Sequence, residues 1–172
     1  MKALALIFAA GLTSPVPPQE PTPPPQVQRL ARVLVGSWRT QEQHEPGQIA
    51  PTGGRGQGAA TVRLGPGARS LISDYTAVDP SGTFVSHSLM WWDSTAHAYR
   101  GVECYNRSPA GCEMGLWHWE GPDLVSHEDG ITQVFTQFTR ASYTYYMDGS
   151  SDHGALKRLM TIQFVRTNER RP

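Results

Sequence analysis

The protein has 172 residues, and its 15 lysine and arginine residues balance its 15 aspartate and glutamate residues. This balance argues against a nucleic-acid-binding surface, which carries a basic excess, and the length predicts one domain. Only 17% of the residues are charged, and seven of the 14 prolines lie between Pro15 and Pro25. The composition therefore indicates a proline-rich segment attached to a globular domain of low charge.

The first residues have the order of a secretory signal peptide. Lys2 supplies a positive charge, and the uncharged, mostly apolar run Ala3–Leu12 follows it. We predict a signal peptide over residues 1–14, with cleavage after Gly11 or Ser14; a frayed terminal helix is the alternative. The run is too short to span a bilayer, which takes about 20 apolar residues. The sequence thus predicts a periplasmic or secreted protein with no integral membrane segment after signal removal.

A linker and then a globular domain follow the predicted signal. The tract over residues 15–25 (PVPPQEPTPPP) cannot form helix or sheet, because proline fixes φ and lacks an amide donor. We expect it to be an extended spacer, and we assign residues 26–172 to the domain. Apolar residues recur at helical spacing from Val27 to Leu34, which predicts one short amphipathic helix that ends near Gly36.

Apolar residues step by two after Trp38, as they do in half-buried strands. The clearest runs are Ala60–Leu64, Leu71–Ala77, Val85–Trp91, Ile131–Phe135 and Met160–Phe164. Turn-forming glycine, proline, asparagine and aspartate residues separate them. This pattern predicts an all-β fold, an antiparallel sandwich or barrel of about 8–10 strands, preceded by the one helix.

Several predicted strands carry large apolar side chains on both faces. Met90 and Trp92 alternate with Trp91, and Trp117 follows Leu116. Such strands either build a thick core, with one face covered by the helix, or line a barrel interior that holds an apolar ligand. Both interpretations stay open. An outer-membrane barrel is disfavoured, because histidine and glutamine side chains interrupt the outward apolar band that it requires.

The two cysteines flank a turn-rich stretch. Cys104 ends the predicted strand Ala98–Tyr105, and Cys112 begins the predicted strand Cys112–Trp119. A hairpin centred near Ser108 places the two residues opposite each other, with their Cα atoms ~4.5 Å apart. In an oxidising compartment this spacing favours a structural disulfide. Free thiols or a two-cysteine metal or redox site are the alternatives, although metal motifs have tighter spacing and more ligands.

Three segments contain residue types that occur in catalytic motifs. Gly54–Gly58 is rich in glycine but precedes a predicted strand, so we interpret it as a mobile loop at a barrel mouth and not as a phosphate loop. Ser150–His153 contains the residue types of a hydrolase triad, but these residues are adjacent in one turn, whereas triads combine distant segments. His127–Gly130 is predicted to be a charged turn. We therefore predict no catalytic residue.

The six histidines are scattered, and none forms an HxH or HExxH pair. His118 and Glu120 share one face of a predicted strand, and His87 from another strand would complete a three-ligand metal site. Scattered histidines are more often ordinary core or surface residues. The sequence therefore predicts no metal ion and no cofactor.

Short motifs of the domain resemble the DUF1579 family, small bacterial proteins that are often exported. These motifs are Leu34–Trp38, Gly67–Leu71, Leu89–Asp93 with Tyr99–Gly101, and Leu159–Arg166. The resemblance covers about residues 28–168 and implies an up-and-down, lipocalin-like antiparallel barrel, with no catalytic residues to carry over. The Gly-x-Trp motif that ends at Trp38 is also shared by lipocalins and nitrobindin-like haem barrels, in which the tryptophan closes the barrel floor.

We therefore predict an exported, lipocalin-like barrel that binds a small apolar or amphipathic molecule without catalysis. The candidate ligand contacts are Trp91, Trp117, Trp119, Phe135, Tyr143, Tyr145, His87 and His118. One alternative is a haem- or metal-using barrel; haem needs a histidine from a late strand, and His153 falls in a predicted loop. The other is an envelope interaction protein that binds a partner through an exposed edge or through the segment Gln48–Gly58.

Overall fold

The computed structural model describes residues 22–47, 50–150 and 156–167. The predicted signal peptide, most of the linker, His153 and the first two residues of Gln48–Gly58 lie outside the described residues. A short 3-10 turn, Pro66–Ala68, lies between the second and third strands. The main elements are α1 (Pro25–Leu34), β1 (Gly36–His44), β2 (Gly54–Leu64), β3 (Ser70–Asp79), β4 (Gly82–Asp93), β5 (Ala98–Tyr105), β6 (Cys112–Glu120), β7 (Asp123–Glu128), β8 (Ile131–Thr136), β9 (Ser142–Ser150) and β10 (Leu156–Arg166).

The strands form one closed antiparallel barrel. Each strand pairs with the next along the chain, and β1 pairs with β10 to close the sheet. This closing ladder runs from Trp38 opposite Arg166 to His44 opposite Met160. The predicted all-β up-and-down barrel with one short N-terminal helix is confirmed, and its ten strands are at the upper end of the predicted number. Because closure pairs the outermost strands, no strand in the described part of the chain offers the free edge that partner binding by strand addition requires.

Helix α1 packs against one end of the barrel. Pro25 lies in its first turn, where the missing amide donor costs no helical hydrogen bond. Val27, Leu30 and Leu34 are buried at the spacing that the sequence predicts. No helix within the described ranges is long and apolar enough to cross a membrane. The apolar face of α1 therefore closes this end of the barrel.

The Gly-x-Trp motif builds the barrel floor beside α1. Trp38 is 1% exposed, and its Nε1 donates a hydrogen bond to the Leu34 carbonyl oxygen over 2.9 Å. The Arg166 guanidinium lies over the Trp38 ring, 4.2 Å from its centroid, and its Nη1 donates to the Val35 carbonyl oxygen over 3.0 Å. Gly36 has φ of +150°, and a Cβ there would lie 2.1 Å from Arg166 Nη1. The glycine is therefore required because the arginine occupies the space of its missing side chain.

The β5–β6 hairpin has the predicted register and the predicted disulfide. Cys104 lies opposite Cys112 in the ladder, with a Cα–Cα distance of 4.0 Å, and the two sulfur atoms are bonded. The hairpin is centred near Ser108, as the sequence predicts. The disulfide therefore joins neighbouring strands at the barrel end opposite α1, which we call the mouth.

The prediction of a loop over Gly54–Gly58 is wrong, because these residues form the first half of β2. Gly56 and Gly58 alternate on the inner face of the wall, opposite Glu42 and Thr40 of β1. A Cβ at Gly56 would lie 2.7 Å from Glu42 Oε2, and a Cβ at Gly58 would lie 2.4 Å from the Thr76 carbonyl oxygen. The glycines are thus strand residues that leave room for their inner neighbours.

Candidate functional site

The inner surface of the barrel is aromatic toward α1. Tyr143 stacks on Phe164 at a centroid distance of 4.3 Å and meets Trp38 edge-on at 4.7 Å. Farther around the wall, the rings of Trp117 and Phe135 lie 5.2 Å apart. The other aromatic residues that belong to this core or pack against it are Tyr75, Trp92, Tyr99, Trp119, Phe138 and Tyr145. This half of the interior is a buried aromatic core.

Five of the eight predicted ligand contacts lie in this aromatic core or pack against it, and three do not. The five are Trp117, Trp119, Phe135, Tyr143 and Tyr145. The side chains of His87 and His118 are 58% and 46% exposed. Trp91 lies opposite Arg100, which itself lies opposite outward-facing Leu116, while its neighbour Trp92 packs on the core. Strand alternation therefore places Trp91, His87 and His118 on the outer wall, and Trp92 takes the inner position that we predicted for Trp91.

A hydrogen-bonded polar group lies nearer the mouth, on β1 and β3. His44 Nε2 lies 2.7 Å from Glu42 Oε2, and the Tyr75 hydroxyl donates to the other oxygen of the same carboxylate. Thr40 Oγ1 lies 3.2 Å from the Tyr75 hydroxyl. Burial, together with the Glu42 hydrogen bond, raises the pKa of Tyr75 well above its usual range. Tyr75 therefore remains a protonated donor to Glu42 at physiological pH.

Asp79 belongs to the same polar group, but its carboxylate forms a salt bridge with Arg107. Its two carboxylate oxygens accept hydrogen bonds of 2.6 and 3.0 Å from Arg107, whose guanidinium also lies above the Phe84 ring. Burial opposes ionisation of Asp79, but hydrogen bonds from Arg107 and from the Ser81 backbone outweigh it, so the pKa of Asp79 is lowered. This bidentate pair links the β3–β4 and β5–β6 hairpins at the mouth.

Glu103 is an acidic residue on the inner wall of the barrel. It lies on the inner face, four residues from buried Tyr99, and pairs with inward-facing Ser88. Its side chain is exposed to solvent. Even so, desolvation raises the pKa of Glu103, despite an opposing hydrogen bond from Ser86. We use the word lumen for the part of the barrel interior toward the mouth, on whose wall Glu103 lies.

Glu103 also faces a residue of like charge. Glu113 lies directly opposite it on β6, and the negative charge of Glu113 contributes to the raised pKa of Glu103. Glu113 accepts hydrogen bonds from the Tyr105 hydroxyl and from Ser108 Oγ. Directly opposed like charges destabilise a sheet. The lumen therefore presents a negative wall that a cationic or hydrogen-bond-donating group would stabilise.

Two buried polar atoms in the described structure have no hydrogen-bond partner. They are His44 Nδ1 and Ser126 Oγ, on residues that are 4% and 1% exposed. His44 alternates with buried Trp38 along β1, and Ser126 alternates with buried Leu124 along β7, so both residues lie on the inner face of the wall. Buried polar groups normally have a partner, and an unsatisfied one is costly. These two atoms are therefore left unsatisfied within the barrel wall.

Sequence reasoning missed the polar part of the interior, although strand alternation could have found some of it. Counting in twos from Trp38 reaches Thr40, Glu42 and His44, all of which are buried. The same count from Tyr99 reaches Glu103. Aromatic residues predict apolar contact, whereas acidic residues at inward positions contradict the usual alternation of buried apolar and exposed polar residues in a strand. That contradiction was the available signal for a functional site.

The structure does not bring together His87, His118 and Glu120, the group from which the sequence predicts no metal site. His118 and Glu120 do lie together, with 2.8 Å between Nε2 and Oε1. The third member is His127 of β7, not His87. His87 instead lies 2.6 Å from Asp74 on the neighbouring strand β3. His127 was predicted to belong to a charged turn, but it is a residue of β7.

Comparison with known proteins supports the fold and goes no further. No family model and no curated protein matches the chain. The chain is similar to the crystal structure of Rv2717c from M. tuberculosis, with a TM-score of 0.59 and 11% sequence identity. The match covers 86% of this chain and 100% of that chain. At this identity the similarity concerns the barrel fold alone.

Proposed function

We propose that the protein is an exported binding protein that holds a small amphipathic molecule in its barrel and catalyses no reaction. The observation that carries this proposal is Glu103, a solvent-exposed carboxyl group on the inner wall of the barrel that lies opposite Glu113. Barrels of this size can hold one small ligand. The apolar part of the molecule would lie against the aromatic half of the interior, beginning at Phe135 and Tyr145, whose rings lie 4.9 Å apart.

The polar end of the ligand would face the mouth. Glu103 and Glu113 lie opposite each other on the inner wall, and their carboxylates are hydrogen-bond acceptors. These groups favour a head that is positively charged or carries several hydrogen-bond donors, because it would offset the opposed carboxylates. A carboxylate head would add a third negative charge. We therefore infer that the ligand is an amphipathic amine or a comparable donor-rich molecule.

Export is supported by the disulfide and by the N-terminal sequence. The Cys104–Cys112 bond is of the kind that persists in oxidising compartments. The charged and apolar regions of residues 1–12 have the order of a signal peptide. Membership of the DUF1579 family stays a prediction, which a structure of a family member would test.

The alternative functions receive less support from the described residues. Of the histidines that the structure describes, His44 alone is buried, and its Nε2 is bonded to Glu42. His153, on which the haem alternative depends, lies outside the described residues. Binding to a partner through the segment Gln48–Gly58 is weakened because Gly54–Gly58 belong to the barrel wall.

Native mass spectrometry tests the proposal. The full chain is exported to a bacterial periplasm, purified without detergent and measured intact, then measured again after denaturation. We expect an additional mass in the native protein that is released on unfolding. The emptied protein should then bind dodecylammonium more tightly than dodecanoate, as followed by tryptophan fluorescence. Folded protein with no retained mass and no affinity for either probe contradicts the proposal, and a Soret absorption band would support the haem alternative instead.

A further inference from the structure

The outer wall carries three metal-ligating side chains that meet at one point. Glu120 Oε1 lies 2.8 Å from His118 Nε2 and 3.3 Å from His127 Nε2. All three ligand atoms lie within 4.8 Å of one another, and each side chain is about half exposed. The group lies on the face of the wall opposite the lumen, so it is independent of the proposed ligand site.

Local sequence explains why these residues meet. Alternation along β6 puts His118 and Glu120 on the same face. The tight turn at Gly121, which has φ of +60°, reverses the chain, and β7 brings His127 to that face. The turn is required for the group, since two ligands come from one strand and the third from the next.

We propose that His118, Glu120 and His127 form a binding site for a divalent transition-metal ion, with zinc as the best-suited metal. Two imidazole nitrogens and one carboxylate oxygen are ligands that zinc accepts, and three protein ligands leave a fourth position for water. Zinc bonds of about 2.0–2.2 Å in a tetrahedral arrangement separate neighbouring ligand atoms by about 3.3–3.5 Å. The 2.8 Å separation therefore needs to increase by about 0.5–0.7 Å, and the 3.3 Å separation by at most about 0.2 Å, when the ion enters.

A neighbouring hydroxyl group orients one ligand. Thr132 Oγ1 of β8 lies 3.0 Å from His127 Nδ1, the ring nitrogen that does not face Glu120. Metal-bound histidines generally use their second nitrogen in such a bond, which fixes the ring orientation and the tautomer. Thr132 therefore holds the His127 ring with its Nε2 directed toward the proposed ion. It acts as a positioning residue and does not contact the metal.

A second group, Glu42, His44 and Asp79, also brings ligand atoms together, but its atoms are already engaged. Asp79 is held by both terminal nitrogens of Arg107, and Glu42 accepts a hydrogen bond from Tyr75. An ion there would have to displace these partners inside the wall. At the outer site it has only to replace hydrogen bonds that are open to solvent.

The site also bridges a weak part of the sheet. The β6–β7 ladder contains three residue pairs, from His118 opposite Val125 to Glu120 opposite Asp123. By comparison, the neighbouring β5–β6 ladder contains six. An ion held by both strands would join His118 and Glu120 of this ladder to His127, which lies beyond it, and it would stabilise the folded state because the unfolded chain lacks the arrangement.

Zinc titration of the metal-free full chain tests the site. Isothermal titration calorimetry should show one equivalent bound, and zinc at a hundredfold excess over its Kd should raise Tm by about 5–10 °C. The Thr132→Val variant should bind about 10–100-fold more weakly, as expected for an outer-shell partner. His127→Gln should lose more than that, and the exposed substitution Glu120→Gln provides a second ligand variant if the first does not fold.

His87→Gln is the matched control. His87 is also exposed on the outer wall and also lies beside a carboxylate, that of Asp74, but it has no third ligand. Its substitution should leave zinc affinity within twofold of the unchanged protein. The proposal is overturned if the unchanged protein binds no zinc, if folded His127→Gln binds it normally, or if His87→Gln weakens binding as much as His127→Gln.

Discussion

Replacement of Gly36 by alanine tests the construction of the barrel floor. The new Cβ would lie 2.1 Å from Arg166 Nη1, so the arginine must leave the Trp38 ring and the Val35 carbonyl oxygen. Alanine must also adopt φ of +150°, a conformation that L-residues rarely populate. Both effects act in the folded state, so we expect a large loss of stability from the addition of one methyl group.

The magnitude follows from the separate contacts. The backbone conformation costs about 1–3 kcal/mol, and a hydrogen bond from a charged donor contributes about 1.5–3 kcal/mol. The cation–π contact adds about 0.5–1 kcal/mol. Because rearrangement recovers part of these contacts, we expect Gly36→Ala to lower the free energy of unfolding by about 3–5 kcal/mol. The fall in Tm should be about 6–20 °C at 2–4 °C per kcal/mol.

Urea unfolding of four proteins provides the assay: the unchanged chain, Gly36→Ala, Arg166→Met and the double variant. If Gly36→Ala acts by displacing the arginine, it should cost only the backbone part, about 1–3 kcal/mol, once Arg166 is methionine. Gly47→Ala is the control, since a Cβ at Gly47 meets no atom within 4 Å. A Gly36→Ala loss below about 0.5 kcal/mol, or additive costs in the double variant, would refute the reasoning.

Three further predictions concern other parts of the barrel. The native state binds the Glu103 proton more tightly than the unfolded state does, so stability falls as pH rises from the ordinary glutamate pKa through the raised pKa. Glu103→Gln should therefore remove this part of the pH dependence and raise the urea midpoint at pH 7. An unchanged or lower midpoint would contradict this prediction. Replacing Cys104 and Cys112 together by serine should cost about 2–3 kcal/mol, measured by urea unfolding, and dithiothreitol should then have no further effect. Leu30→Ala, at a fully buried position in α1, should cost about 2–5 kcal/mol by the same assay, and a loss below about 1 kcal/mol would show that α1 does not close the barrel.

The elements of the fold could be predicted because their signals are local. The amphipathic spacing from Val27 to Leu34 indicates the helix, and alternation indicates most of the strands. The disulfide follows from the position of Cys104 and Cys112 on either side of one hairpin. Local patterns of this kind need no knowledge of which distant segments meet.

The faces of the strands were harder to predict. Leu89–Trp92 is a run of four apolar residues, and a shift of one residue turns every side chain to the opposite face. The pairing with β5 determines which tryptophan faces inward. Trp92 lies opposite buried Tyr99, whereas Trp91 lies opposite Arg100. Nothing within the run itself distinguishes the two tryptophans.

Non-local contacts also explain the two remaining differences between prediction and structure. Gly54–Gly58 has the composition of a loop, yet the space on its inner face is taken by Glu42 and by the neighbouring strand. His127 completes the group of His118 and Glu120 because β7 returns beside β6, while β4, which carries His87, is two strands away from β6. Composition and spacing carry no information about either contact.

Ligand binding by a lumen-blocked variant is the measurement that tests the account most directly. Ser88 lies opposite Glu103 on the inner wall, so Ser88→Leu would fill the space beside that carboxyl group. Thr83→Leu adds a similar volume at an exposed position of the same strand. In dodecylammonium titrations followed by tryptophan fluorescence, we expect Thr83→Leu to bind as the unchanged protein does and Ser88→Leu to bind at least tenfold more weakly. Equal affinity in the two folded variants would contradict a ligand site in the lumen.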